Sequence, residues 1–181
     1  MAGRAEVFIH PMFRGLEEAD FWIHKNPDGK FTSGGPDYFL AMSGTQVEVK
    51  NSERTGELAD EPSEKQVRLL DRYGGFIFLV MYDSEGSQRM PNGADAYLVP
   101  WPVYKEWWAR MKELKGKSVR RHATARAIGA DDELGQYRLE WANGRWNVPV
   151  NHPSGFWSLL RQKAHALNLF IEQQFHASFT A

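Results

Sequence analysis

The run Phe76-Ile77-Phe78-Leu79-Val80-Met81-Tyr82 constrains this chain more than any other segment. Its residues are apolar or aromatic without alternation, so neither face of the segment can be left to water. A strand apolar on both faces belongs inside a sheet covered on both sides, which is the layering of α/β domains. Just upstream, Ser63-Glu64-Lys65-Gln66 has the form of a capping box and predicts a helix to about Tyr73, closed by Gly74-Gly75.

Further elements follow from local pattern. Short helices are expected around 3–9, ended by Pro11, and over 14–20, followed by a strand at Phe21–Lys25. Asp37–Met42 and Thr45–Lys50 predict two strands around Ser43-Gly44, read as a two-residue hairpin turn. Residues 51–61 are polar and read as a loop, as do 84–93. Ala96–Pro100 predicts another strand, and Pro102 suits the first turn of a helix with Val103, Trp107, Met111 and Leu114 on one stripe. Later, Gln136–Trp141 and Arg145–Val150 flank Asn143-Gly144, a type I′ hairpin signal that would set Trp141 opposite Trp146. Ser154 is placed to cap a last helix whose stripe is Trp157, Leu160, Ala164, Leu167, Ile171 and Phe175. The expected architecture is an α/β domain with a mixed central sheet flanked by helices. Residues 1–115 form its core, and 116–181 form a C-terminal extension of basic loop, β-hairpin and amphipathic helix packed on that core.

One constellation carries chemistry. Asp37 ends a Gly-rich loop, and Glu48-Val49-Lys50 follows on the next strand. Side chains two apart on a strand share a face, so Glu48 and Lys50 point one way and Val49 points into the core. If the two strands are neighbours, Asp37 approaches the same face. Two carboxylates and an ammonium then converge, a donor set suited to a hard divalent cation and a phosphate diester. Mg²⁺ takes oxygen ligands, so Asp37, Glu48 and the Val49 carbonyl are the candidate metal ligands, with Mn²⁺ as a substitute ion. Lys50 would orient a water or offset charge that develops on the phosphorane. Gln66 is a polar residue on the helical stripe of Leu70 and Tyr73 and needs a partner there. The plainer alternative is an exposed hairpin with an ordinary ion pair.

Charge distribution bears on partners. The net charge of −1 is unlike most DNA-binding domains, yet eight cations and only two acids lie between Lys105 and Arg126. Lys117, Arg120, Arg121 and Arg126 are the candidate DNA-phosphate contacts, against the alternative of a solvated charged loop. Trp107, Trp108, Trp141 and Trp146 suit stacking on bases or, more simply, core packing. The six histidines show no zinc spacing, and no phosphate-binding Gly-x-x-x-x-Gly-Lys loop or nucleophile elbow is present. Cysteine is absent, which removes disulfides and thiolate chemistry and fits a cytoplasmic protein. No apolar run reaches membrane-spanning length, and Met1-Ala2-Gly3-Arg4 does not begin a signal peptide.

Gly-Pro-Asp, hairpin, Glu-Val-Lys, polar loop, helix with Gln66, Gly74-Gly75 and apolar strand together resemble the PD-(D/E)xK nuclease superfamily. Within it, Ile23-His24-Lys25, Pro36-Asp37-Tyr38, Tyr97-Leu98-Val99-Pro100 and Trp107-Trp108 are similar to Holliday junction resolvases of the RecU type, and also to the archaeal Hjc type. The likeness covers roughly residues 20–110. It implies a restriction-endonuclease-like fold, Asp37 and Glu48 as metal ligands, Lys50 as the catalytic lysine, and a further glutamate on the first helix, matched by Glu6 with Glu17 as the fallback. It also implies a Mg²⁺-dependent endodeoxyribonuclease that acts as a homodimer on four-way junctions. Two rival readings stand beside it: a sequence-specific restriction or repair nuclease of the same fold, and a non-catalytic DNA-binding module.

Overall fold

The run 75–82 forms the central strand of a mixed sheet. The structure is a computed structural model that describes residues 21–23, 37–40, 44–53, 62–82, 94–115, 132–142 and 145–179. Its strands are β1 (Phe21–Ile23), β2 (Tyr38–Leu40), β3 (Thr45–Glu53), β4 (Gly75–Tyr82), β5 (Ala94–Pro100), β6 (Arg138–Ala142) and β7 (Arg145–Asn147). The helices are α1 (Glu64–Tyr73), α2 (Trp101–Lys115), the single turn α3 (Asp132–Gly135) and α4 (Phe156–Phe179). The strands lie side by side in chain order. Every neighbouring pair is antiparallel except β3 and β4, which run parallel with α1 as the crossover.

Strand periodicity sorts the core into two layers. Val47, Val49, Phe76, Phe78, Val80, Ala96 and Leu98 point to one face, where Trp146, Val148, Phe156 and Leu160 cover them. Ile77, Leu79, Tyr97 and Val99 point to the other, beneath Leu70 of α1 and the buried edge of α2. The apolar run is therefore buried on both faces, with Phe76 through Val80 at most 2% exposed. The β6–β7 hairpin curls over the first face. Although β7 stands at the end of the strand order, the Trp146 ring lies 5.6 Å from Phe78 of β4 in an edge-to-face contact. Trp141 lies opposite Trp146, their rings 4.9 Å apart and nearly perpendicular.

Helix α1 starts and stops as its sequence requires. Ser63 Oγ accepts from the Gln66 N–H while Gln66 Oε1 accepts from the Ser63 N–H at 2.8 Å, which closes the capping box. At the other end Gly74 adopts φ +70° and returns its N–H to the Leu70 carbonyl. The neighbouring Gly75 is required for space. A Cβ there would stand 2.3 Å from the Gln46 carbonyl oxygen and 2.9 Å from Leu70 Cδ2, so β3, β4 and α1 meet at this point with no room for a side chain.

Three expectations need correction. The register of β2 on β3 is not the one a Ser43-Gly44 turn would set: Leu40, not Met42, pairs with Thr45, and Gly44 sits at φ +63°. Strand β3 runs on through Asn51-Ser52-Glu53, because the parallel ladder with Val80, Met81 and Tyr82 satisfies the backbone of that polar stretch. Helix α2 buries Trp101, Tyr104, Trp107 and Trp108, with Val103 only partly covered. For Trp107, Trp108 and Trp146 the simpler reading, core packing, holds: they are 1%, 8% and 1% exposed, so none of the three is free to stack on a base. In α4 the expected stripe is the covered side, with Leu160 buried and Trp157, Ala164 and Leu167 partly so, while Leu169 and Phe170, off the stripe, lie exposed. The expected helices at 3–9 and 14–20, the 84–93 loop and the Asn143-Gly144 turn itself lie outside the described residues.

Candidate functional site

The correction in the hairpin brings the two acids together. Tyr38 pairs with Val47, so Asp37, one residue before β2, falls opposite Glu48 on the same face. Its Oδ2 accepts the Val49 N–H at 2.7 Å. That bond takes the place of a ladder bond where β2 has ended, and it fixes the carboxylate beside the strand. In a strand the N–H and C=O of one residue project toward the same neighbour. The Val49 carbonyl therefore faces the edge that Asp37 occupies, while the Val49 side chain is buried in the opposite layer.

Glu48 is 2% exposed and Lys50 9%. Both lie on the face covered by α1 and α2, because their parallel partners on β4 are Ile77 and Leu79 of that layer. Lys50 Nζ donates to Glu48 Oε1 at 2.8 Å, and Gln66 Nε2 donates to the same oxygen at 2.5 Å. Helix α1 thus reaches the site through Gln66, whose other end closes the capping box. Glu48 Oε2 is buried and has no partner among the described residues.

The electrostatics are those of a site short of positive charge. Burial pushes the Glu48 carboxyl up to about 7, the neighbouring Asp37 charge adds to the rise, and Lys50 opposes it. Burial also raises Asp37, against the Val49 N–H and the Lys50 ammonium. Among the described residues two carboxylates share one ammonium, and buried charge of one sign in excess is costly unless a counter-charge completes it. The donors are oxygens only: Asp37, the free Oε2 of Glu48 and the Val49 carbonyl. That set fits a hard cation that keeps part of its water, rather than zinc or a soft metal. Among the described residues no group of three or more His, Asp or Glu is gathered to hold a metal, so any ion here rests on two carboxylates and backbone.

Of the residues singled out from sequence, the structure brings together Asp37, Glu48, Val49, Lys50 and Gln66. Glu6, Glu17, Lys117, Arg120, Arg121 and Arg126 lie outside the described residues. Of the basic stretch, Lys105 is held by Asp71 at 2.8 Å and lies over the Trp101 ring. Two residues near the site were not foreseen. Tyr104 is fully buried on the same side of the sheet, within reach of the Glu48 charge. Gln46, two residues before Glu48 on the same face, is buried, and its Oε1 has no partner among the described residues. The signal for Tyr104 was the Trp101, Tyr104, Trp107 and Trp108 spacing, a cleaner helical stripe than the one through Val103.

Comparison with family models, with curated proteins and with solved structures gives no match to this chain. No described helix is long and apolar enough to cross a membrane.

Proposed function

We propose that this protein is a metal-dependent endodeoxyribonuclease of the PD-(D/E)xK type, with a restriction-endonuclease-like fold and a preference for branched DNA such as the four-way junction. The observation that carries the reading is the buried convergence of Asp37, Glu48 and Lys50, with Glu48 Oε2 left without a partner among the described residues. The parallel β3–β4 pair joined through α1, with Gln66 bonded to Glu48, supports the same reading.

In this account Asp37, Glu48 and the Val49 carbonyl would hold Mg²⁺ or Mn²⁺. When bound, such an ion supplies Lewis-acid polarisation of a phosphoryl oxygen and eases deprotonation of water. The chain's own residues do the rest. The Val49 N–H holds Asp37 in place, and Gln66 and Lys50 both load Oε1 of Glu48, which leaves Oε2 directed to the ligand. Lys50 has an ammonium at the point where negative charge grows during in-line attack on phosphorus. No nucleophilic side chain is needed, in keeping with a chain that has no cysteine. Paired cuts across a junction call for two such sites and hence a homodimer, and the segment with Lys117, Arg120, Arg121 and Arg126 would track the DNA backbone.

The test is a cleavage panel in Mg²⁺: a labelled four-way junction, matched duplex and single strand, with Glu48→Gln as control. The proposal expects symmetric cuts in the junction, absent in the control. Cutting of duplex at fixed sequences, seen as discrete bands from genomic DNA, would move the substrate to that of a restriction or repair enzyme. No cutting of any substrate in Mg²⁺ or Mn²⁺ would favour a non-catalytic binding module.

A further inference from the structure

Buried polar atoms in native proteins are almost always satisfied, and those that lack a protein partner are commonly served by an internal water with about three hydrogen bonds. Among the described residues four buried atoms on the side of the sheet that carries Glu48 are in that condition: Glu48 Oε2, Gln46 Oε1, the Tyr104 hydroxyl and Trp108 Nε1. Gln46 and Glu48 are two apart on β3 and share a face. Tyr104 belongs to the layer that covers that face, in one cluster with Ile77 and Leu79, the parallel partners of Glu48 and Lys50. The Glu48 charge also acts on the Tyr104 phenol and adds to the rise that burial imposes on it. The chemistry of the first three is complementary to one water: Glu48 Oε2 and Gln46 Oε1 are acceptors, and the Tyr104 hydroxyl can donate, while the Trp108 indole N–H adds a second donor on the same side.

We propose that one buried water accepts from the Tyr104 hydroxyl and donates to Glu48 Oε2 and Gln46 Oε1, and that Tyr104 is thereby a positioning residue for the Glu48 carboxylate. The proposal rests on the reading of Asp37 and Glu48 as a cation site for its functional consequence, though not for the water itself. The Tyr104 ring, packed among Trp101, Trp107 and Trp108 with centroids 5.8–6.3 Å away, gives the hydroxyl a rigid base. Helix α2 would then set the orientation of Glu48 from above, as α1 does through Gln66 from the side. Partners of this kind, one step removed from a ligating carboxylate, are typically worth roughly 10–100-fold in metal affinity.

The experiment is a pair of high-resolution crystal structures of the metal-free protein, wild type and Tyr104→Phe, with Mn²⁺ titration calorimetry on both. The expected result is a water within hydrogen-bond distance of the three atoms in the wild type. In Tyr104→Phe that water is lost or displaced, the Glu48 carboxylate is reoriented, and Mn²⁺ affinity falls roughly tenfold at an unchanged melting temperature. A dry contact in the wild type, or an unmoved Glu48 in the variant, overturns the proposal. Unchanged Mn²⁺ affinity with the water displaced overturns the positioning role. Should the wild type bind no Mn²⁺, the cation-site reading fails by itself, and the two crystal structures still decide the water. Gln46→Met, which removes the second acceptor and keeps the side-chain length, is the companion variant. It should weaken Mn²⁺ binding no further when added to Tyr104→Phe, because both act through one water.

Discussion

Gln66 donates through Nε2 to Glu48 Oε1, and accepts the Ser63 N–H on its own Oε1. One side chain thus closes the N-terminus of α1 and holds the acid at the centre of the site. The start of the helix and the geometry of the site cannot be varied independently.

Replacing Gln66 separates the two duties. Glu is an accepted capping-box residue at this position, so Gln66→Glu should keep the cap. It also places a carboxylate against Glu48, which raises Glu48 further and removes a donor from Oε1. Mn²⁺ affinity should fall roughly 10–100-fold while helix content is retained. Calorimetry and far-ultraviolet circular dichroism on the same sample check this. A variant with normal affinity would show that Gln66 serves the cap alone.

Stability should fall as pH rises through the titration of Glu48. The folded-state carboxyl is pushed up to about 7, against about 4.5 unperturbed. Between those values the folded protein binds the proton more tightly than the unfolded chain. Protonated Glu48 therefore favours the fold below about pH 4.5, and the advantage is lost as pH climbs through 7. The upward shift of Asp37 has the same sign. The loss is on the order of 3 kcal/mol for Glu48. Urea denaturation from pH 5 to 8 should show it, Glu48→Gln should flatten it, and saturating Mg²⁺ should reduce it. A stability that increases over this range in the metal-free wild type would contradict the assignment.

Much of this was legible beforehand, for identifiable reasons. The capping box at Ser63, the stop at Gly74 and the strand to Tyr82, buried from Phe76 through Val80, are local signals with strong physical causes, and each stands where expected. Glu48 and Lys50 share a face because strand periodicity admits no other outcome. The hairpin register was not legible, since Ser43-Gly44 satisfies a turn rule that the pairing of Leu40 with Thr45 overrides. The shift is two residues, so every side chain keeps its face, and Asp37 moves from opposite Lys50 to opposite Glu48. The extension of β3 through Asn51-Ser52-Glu53 was hidden because a parallel neighbour, not composition, makes it a strand. Tyr104 and Gln46 could not be tied to the site from sequence, because the packing of α2 over β4 and β5 on that side of the sheet is tertiary.

Gly75 should tolerate no side chain. The Cβ of Gly75→Ala would meet backbone oxygen at 2.3 Å, and the obstacle belongs to the strand that bears Glu48. Overpacking of this kind costs about 3 kcal/mol at its upper range. Gly44→Ala meets no atom and carries only the strain of φ +63°, about 1 kcal/mol. Parallel denaturation curves test the contrast, which fails if the two variants are equally stable.

Trp146 should be as important to the fold as any residue before 115. It is 1% exposed and contacts Phe78 and Trp141 edge-on. Trp146→Ala should cost about 3–5 kcal/mol. A chain ending at Lys115 loses the cover of Trp146, Phe156 and Leu160 over β4 and should not fold cooperatively. A dispersed NMR spectrum from that truncated chain would show that residues 116–181 are an accessory.

The most direct test is Mn²⁺ titration calorimetry of the wild type against Asp37→Asn and Glu48→Gln. The account predicts saturable binding in the wild type that either substitution abolishes, with both variants still folded. Absence of binding, or binding that survives both substitutions, would contradict a cation site built on Asp37 and Glu48.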